Sequence, residues 1–338
     1  MKRFTILASM FGLFLISVLI AYFGAGDVLQ AVAAAGWATL IVVAARIIAI
    51  TGDGAAWRFL FQPGARPPVW LCVMIRGIRE GINQLLPVAQ VGGDFIGARL
   101  LTFWRYDAGL ATATVVSDIA VQAASQFLFA VFGLVLLFYL KGDSDLVRYI
   151  GFGLVVAALA LAGFFLVLWR GGGGLLQAVS RRLFGGRDLV SSLLTQLYAQ
   201  LGTIYANPLG VASCMGLHLA IWFFGAIEVW VVLHFIGYPV SVAEALVIES
   251  LGQAVKGAGF AVPGGLGVQE GGFIALCALF GVPAGPALAL SLVKRVPDLV
   301  IGIPGLLGWQ AIEGRRVLSR RGTEMALETG PGGPGART

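Results

Sequence analysis

The chain has 338 residues, of which 58% are hydrophobic and 12% charged, and its formal net charge is +6. Soluble domains carry about 25% charged residues, so this composition excludes a water-soluble monomer; the 48 glycines, about twice the usual ~7% share, fit a polytopic membrane protein. Cys72, Cys214 and Cys277 lie in apolar runs without CxxC spacing, which excludes a disulfide framework or zinc cage, and the basic residues gather at loop ends rather than on an aromatic-bearing face, which excludes a nucleic-acid partner.

Taken in chain order, residues 4–24 carry no charge and follow Lys2 and Arg3. At about 1.5 Å per residue they reach across roughly 30 Å of hydrocarbon, and their apolar core is too long for the ~7 to 15 residues of a cleaved signal. Further spans are predicted at about 28–50, 109–140, 148–169, 208–236 and 284–310, giving about six. Two more apolar stretches, about 69–104 and 241–282, are broken by Pro87 and Pro263, by the glycines Gly92, Gly93, Gly264 and Gly267, and by several charges. Neither reads as one straight helix.

The positive-inside rule counts Lys and Arg in short loops near span ends. Lys2 and Arg3, Arg58 and Arg66, Arg170, Arg181, Arg182 and Arg187, and Arg315, Arg316, Arg320 and Arg321 then share the cytoplasmic side, with Asp27 and the Tyr238 turn opposite. This holds only if each broken stretch enters and leaves on one face, as a re-entrant helical hairpin. The expected fold is therefore all-α, with about six full transmembrane helices and two re-entrant hairpins in an inverted-topology repeat. Its first half is 1–141, its second 142–313, followed by a basic cytoplasmic tail at 314–338, disordered from Gly322 because that stretch is rich in Gly and Pro and lacks apolar periodicity. Offsets agree locally: Asp94 and Glu270 each lie seven residues after their proline, Glu80 and Lys256 seven before it, Asp118 and Lys294 thirty-one after it. Within the second half, about 187–206 alternates apolar and polar residues at helical spacing, as an interfacial helix on the cytoplasmic face does.

An ionisable side chain in hydrocarbon costs roughly 2.5 to 3.5 kcal/mol, so each one asks for a partner or a water-filled cavity. Asp94 and Glu270 follow the helix breaks, and inversion would bring the two tips together around a polar headgroup path near the midplane, where a cationic amine would suit them; capping of the following helix is the structural alternative. Arg76, Arg79, Glu80 and Asn83 share one helix face, as do Glu249, Gln253 and Lys256. These stripes, with Gln90 and Gln269, either guide a headgroup or pair internally, Arg76 with Glu80 and Lys256 with Glu249 or Glu270. Asp118 and Gln122 lie on one long span; Lys294, Arg295 and Asp298 crowd the last. Asp118 and Asp298 are expected to pair with hairpin cations. Arg99 is expected to pair with Asp94, bind a phosphate or snorkel to the surface, and Arg46 only to snorkel. His218 and His234 share a span without a third ligand, so they read as core residues rather than metal ligands. No nucleophile stands beside a base, so no catalytic residue, metal or cofactor is expected.

REGINQLLPVAQVGGDFIGARLL at 79–101 and VPGGLGVQEGGF at 262–273 resemble the flippase-like membrane domain of lysylphosphatidylglycerol synthases and their stand-alone relatives, over nearly the whole chain. GDGAAWRFLF, LLPVAQVGGD and SLVKRVPDLVIGIPGLLGWQ resemble the branch found in bacterial hopanoid-biosynthesis loci. The family resemblance implies lipid translocation between leaflets of the cytoplasmic membrane, the branch a hopanoid cargo, and the family expectation falls on Asp94, Arg99, Pro263, Gly264, Gly267 and Glu270. Only about 25 residues follow the last span, where full-length synthases carry a soluble aminoacyl-transfer domain, so a transporter rather than an enzyme is expected. Its partner is a membrane lipid, with a homo-oligomer or lipid-synthesis enzymes as further partners. A lipid-modifying transferase and a scaffold for lipid synthesis are the rival readings.

Overall fold

The computed structural model describes residues 30, 33–86, 91–142, 145–169, 188–259 and 267–329. The predicted span at 4–24 lies outside them, as do Pro87, Gln90, Pro263 and Gly264. Every regular element among the described residues is helical: α1 (Trp37–Arg58), α2 (Val69–Leu85), α3 (Gly92–Thr102), α4 (Ala108–Lys141), α5 (Asp145–Trp169), α6 (Asp188–Tyr205), α7 (Pro208–Phe235), α8 (Val242–Ala258), α9 (Val268–Ala278) and α10 (Ala284–Thr329), with a 3-10 turn at Pro63–Ala65. Four of these, α1, α4, α5 and α7, are long and apolar enough to cross a bilayer. The last expected span, in α10, is interrupted by Lys294, Arg295 and Asp298.

Local chemistry sets the helix ends. Asp107 accepts from the Leu110 amide at 3.0 Å and opens α4, which stops at Gly142 with φ 73°. Asn207 accepts from the Gly210 amide ahead of α7, whose first residue is Pro208. Ser241 and Glu244 exchange hydrogen bonds at the start of α8, the Ser241 hydroxyl accepting from the Glu244 amide at 3.2 Å and the Glu244 carboxylate from the Ser241 amide at 2.8 Å. That reciprocal box satisfies two otherwise orphaned donors. Leu86, which caps the end of α2, is extended ahead of Pro87, the conformation a following proline favours.

Both predicted broken stretches are helix pairs. α2 and α8 have 17 residues each, α3 and α9 have 11 each, and each pair packs together. The packing pattern repeats: α1 against α2 and α7 against α8; α3 against α4 and α9 against α10; α2 against α10 and α8 against α4; α7 against α4 and α1 against α10. Exchanging α1 with α7, α2 with α8, α3 with α9 and α4 with α10 leaves this list unchanged. Glycine permits the closest approaches, as is common where small residues let membrane helices meet. A Cβ on Gly81 would lie 2.7 Å from the Gly302 carbonyl, one on Gly305 would lie 2.8 Å from the Gly77 carbonyl, and one on Gly133 would strike Ser250.

Two expected boundaries move. α1 continues to Arg58, past the Gly52–Gly54 stretch, because Ala56 and Trp57 are buried in the core. The stretch from Gly322, expected to be disordered, is helical to Thr329: it holds Met325, Ala326, Leu327 and Glu328, all strong helix formers, and the glycine- and proline-rich sequence begins only at Gly330. The predicted interfacial segment forms α6.

The apolar core divides in two. One cluster centres on Trp57, Phe61, Ile75, Leu100 and Leu101, the other on Val232, Ile248, Phe273, Leu290 and Val293. Along α1, Arg46 and Asp53 lie between residues of the two clusters, and along α7 so do His218 and Glu228. The polar centre of the molecule is thus enclosed between two oily ends.

Candidate functional site

Twelve ionisable side chains are buried among the described residues, and nearly all are joined in networks. The first begins at α3. Gly93 sits where an added Cβ would strike the Arg79 carbonyl, and its amide donates to Asn83 Oδ1 at 2.7 Å. This close approach places Asp94, in the first turn of α3, against α2: Arg79 Nε donates to Asp94 Oδ1 at 2.7 Å and Asn83 Nδ2 to Asp94 Oδ2 at 3.2 Å. Arg79, fully buried, also meets Asp118 of α4 at 2.8 Å and stacks its guanidinium over Trp57 at 5.2 Å. His218 of α7 then bridges two acids, Asp118 at 3.1 Å through Nε2 and Asp53 of α1 at 2.9 Å through Nδ1. A neutral imidazole can donate from one nitrogen only, so this bridge holds a further proton, on the ring or on a carboxyl. Asp53 in turn accepts from Arg76 at 3.1 Å, and Arg76 lies 3.6 Å from Glu80.

The second network joins α1, α4, α7, α8 and α10. Lys294 of α10 donates to Glu228 at 2.6 Å and to Glu249 at 2.9 Å, and Arg46 of α1 donates to Glu228 at 2.9 Å. Gln253 donates to Glu249, and Gln126 of α4 to the Gln253 carbonyl, both at 2.8 Å.

Between the two networks lies a cavity of about 270 Å³ whose wall includes Arg46, Asp53, Arg76, Glu80, Asn83, Gln84, Asp94, Gln122, Gln126, Glu228, Glu249, Gln253 and Lys256. It draws on both helix pairs and on α1, α4 and α7. Val91, Asp94 and Ile119 also line a second, mainly apolar space of about 480 Å³ between α3 and α4, walled further by Phe95, Ala98, Val115 and Val116, with Arg99 and Thr102 among its few polar residues. Phe95 is 74% exposed, at the outer face of this groove.

The structure distributes the predicted site residues as follows. Asp94, Arg76, Glu80, Asn83, Gln122, Glu249, Gln253 and Lys256 line the cavity, and Arg79 and Lys294 brace it from behind. Glu270 does not join Asp94 there: its carboxylate accepts from the Gly267 amide at 2.7 Å, from Ser291 at 3.3 Å and from Arg295 at 3.1 Å. Gly267 has φ 77°, a conformation that favours glycine, so this acid closes the start of α9. Gln269 donates to Ser291 at 3.0 Å in the same corner.

Of the expected pairings, Asp118 with a hairpin cation is present, whereas Asp298 makes no ion pair with any described residue. Arg99 pairs with Glu313 on α10 at 2.9 Å rather than with Asp94; its side chain is 61% exposed, as a snorkelling residue's is. Lys256 contacts neither Glu249 nor Glu270, because Lys294 and Arg295 hold those acids. Arg46, expected to snorkel, instead lies inside the wall. Asp53 and Glu228 were missed although each is an isolated acid in an apolar run, the same signal that singled out Asp118. His218 is buried as expected, but within the network; with Asp118 and Cys214 it places three metal-capable atoms within 4.8 Å of one another, yet both ring nitrogens face carboxylates and Asp118 is shared with Arg79.

A family model, the lysylphosphatidylglycerol synthase transmembrane region, matches residues 6–305. A protein of Methanothermobacter thermautotrophicus described as a UPF0104 membrane protein is 25% identical over 315 residues, covering 88% of this chain and 89% of that one. No solved structure matches the chain.

Proposed function

We propose, from the premise that the chain belongs to the lysylphosphatidylglycerol synthase transmembrane-region family, that this integral membrane protein is a lipid flippase or scramblase of the bacterial cytoplasmic membrane. The observation that carries this reading is the boundary at Val91, Asp94 and Ile119, residues that line both a charged cavity and an adjoining oily groove. A lipid has the same division: its headgroup needs hydrogen bonds inside hydrocarbon, and its tail does not. α2 and α8 span only about 26 Å and α3 and α9 about 17 Å at 1.5 Å per residue, short of the roughly 30 Å hydrocarbon core, which supports two re-entrant hairpins. The repeated packing supports two related halves, which we read as inverted, with the termini cytoplasmic. A hopanoid or a phospholipid is the cargo class.

Catalysis is the weaker reading. A general base must be free to take a proton, whereas Asp53, Asp94, Glu228 and Glu249 are each held by a cation at 2.6 to 3.1 Å. The test is leaflet exchange of labelled hopanoid and phospholipid in vesicles holding the purified chain. Ile119→Trp, at that boundary, is expected to slow exchange at least about tenfold while the protein stays monodisperse. Absence of exchange by the wild type for every cargo would end the transport reading.

A further inference from the structure

Resting on the lipid-transport reading, we infer that the cavity is an oxyanion site, with Lys256 as the residue that takes the phosphate of an acidic lipid headgroup. The acids of the wall do not wait for a cationic ligand. Asp53 and Glu80 face Arg76, Asp94 faces Arg79, and Glu228 and Glu249 face Lys294. Lys256 is different. It lines the cavity, only 8% of it is exposed, and it makes no hydrogen bond or ion pair with any described residue. The nearby charges are Asp298 and Glu80 of one sign and Arg295 and Arg46 of the other; Glu80 is engaged by Arg76 and accepts from Gln84 at 2.9 Å.

A buried ammonium has three donors to satisfy and a large desolvation cost without a partner. The same wall carries the guanidinium groups of Arg46 and Arg76, whose Nε atoms are buried without an acceptor. An ammonium without a partner among the described residues, on a wall that also carries two guanidinium groups, matches an oxygen-rich anion, and charge-assisted hydrogen bonds to phosphate are the strong kind. The adjoining groove fixes the source as a lipid: an acidic headgroup at Lys256 leaves its hydrocarbon in the space lined by Phe95, Ala98 and Val115. A cargo without an acidic group lacks the partner these donors need.

The experiment titrates the detergent-purified full chain, by calorimetry, with dioctanoyl phosphatidylglycerol, with dioctanoylglycerol, which has the tails and no phosphate, and with inorganic phosphate. Phosphatidylglycerol is expected to bind at least about tenfold more tightly than either of the others. Lys256→Gln is expected to remove that preference, and Lys256→Arg to keep it. Since Lys256 holds no partner among the described residues, Lys256→Gln should fold; if it does not, the wild-type comparison between the two lipids decides. Equal binding of the two lipids overturns the oxyanion site and leaves a lipid site. Equal binding of phosphatidylglycerol and inorganic phosphate overturns the lipid source, and with it the transport reading. Selective binding that survives Lys256→Gln overturns the role of Lys256, and no binding of any probe overturns both proposals.

Discussion

Arg79 shows how one residue organises the centre. Its guanidinium has no exposed surface, joins α3 to α4 through Asp94 and Asp118, and lies over Trp57. Removing one partner of a buried ion pair leaves the other charge uncompensated, which costs about 3–5 kcal/mol, whereas replacing both partners with apolar residues is often neutral. Arg79→Met is therefore expected to lower thermal stability in detergent by about that amount, and the further change Asp118→Leu to recover part of it. Full stability of Arg79→Met would show that the network carries no weight. Charges such as Asp94, Asp118 and Lys294 were legible in the sequence because an ion in an apolar run is costly wherever it points. Their partners were not: Asp53 and His218 are 165 residues apart, and no local pattern reports which helices become neighbours. Arg46 was misjudged for that reason, its acid lying on α7. Lys256 stood out by its offset from Pro263, but that it lacks a partner among the described residues is a property of the packed helices alone.

At the scale of elements, the helix pairs combine a glycine seam with short polar caps. α2 meets α10 at Gly77, Gly81, Gly302 and Gly305, where backbone faces backbone and cannot yield as a flexible side chain can. Gly81→Leu is expected to cost at least about 1–3 kcal/mol of stability, the usual range for overpacking. Gly153→Leu on α5, where an added Cβ meets nothing within 4 Å, is expected to be silent; equal melting temperatures for the two variants would dismiss the seam. At α9, Glu270→Gln weakens the bonds to Gly267 and Arg295. It should lower stability by about 1–2 kcal/mol, as loss of a cap does, while leaving lipid exchange intact, and a selective loss of exchange would return Glu270 to the headgroup path. The broken helices were legible from proline, glycine and charge together. The helical stretch beyond Gly322 was not, because its good helix formers are too few to show a periodic face.

At the scale of the whole molecule, eight of the ten helices among the described residues form two sets of four with interchangeable neighbours but unlike chemistry. Arg76 and Glu249 are each the eighth residue of their helices, α2 and α8; Asp118 and Lys294 are each the eleventh of α4 and α10. Within each set these charges pair with their own neighbours, Arg76 with Asp53 and Glu249 with Lys294, while Arg46 to Glu228 and His218 to Asp53 and Asp118 join the two sets. If the halves are inverted, the loop holding Gly64 and the turn holding Tyr238 lie on opposite sides of the membrane. Cysteines introduced singly at those positions should react with an impermeant thiol reagent from opposite sides, against a low background because Cys72, Cys214 and Cys277 are fully buried. Labelling from the same side would reject the inversion.

α10 has a mechanical consequence. Its 46 residues extend about 69 Å at 1.5 Å per residue, more than twice the roughly 30 Å thickness of hydrocarbon. Pro297 and Pro304 interrupt its backbone ladder, and each marks a place where a helix bends readily. The stretch from Pro304 to Thr329 is thus a lever arm of roughly 38 Å. A swing of about 10° at Pro304, within the range of proline kinks, carries the Thr329 end through roughly 6 to 7 Å, so a small rearrangement beside Lys294 is magnified into a displacement that a spectroscopic ruler placed outside the bilayer can read.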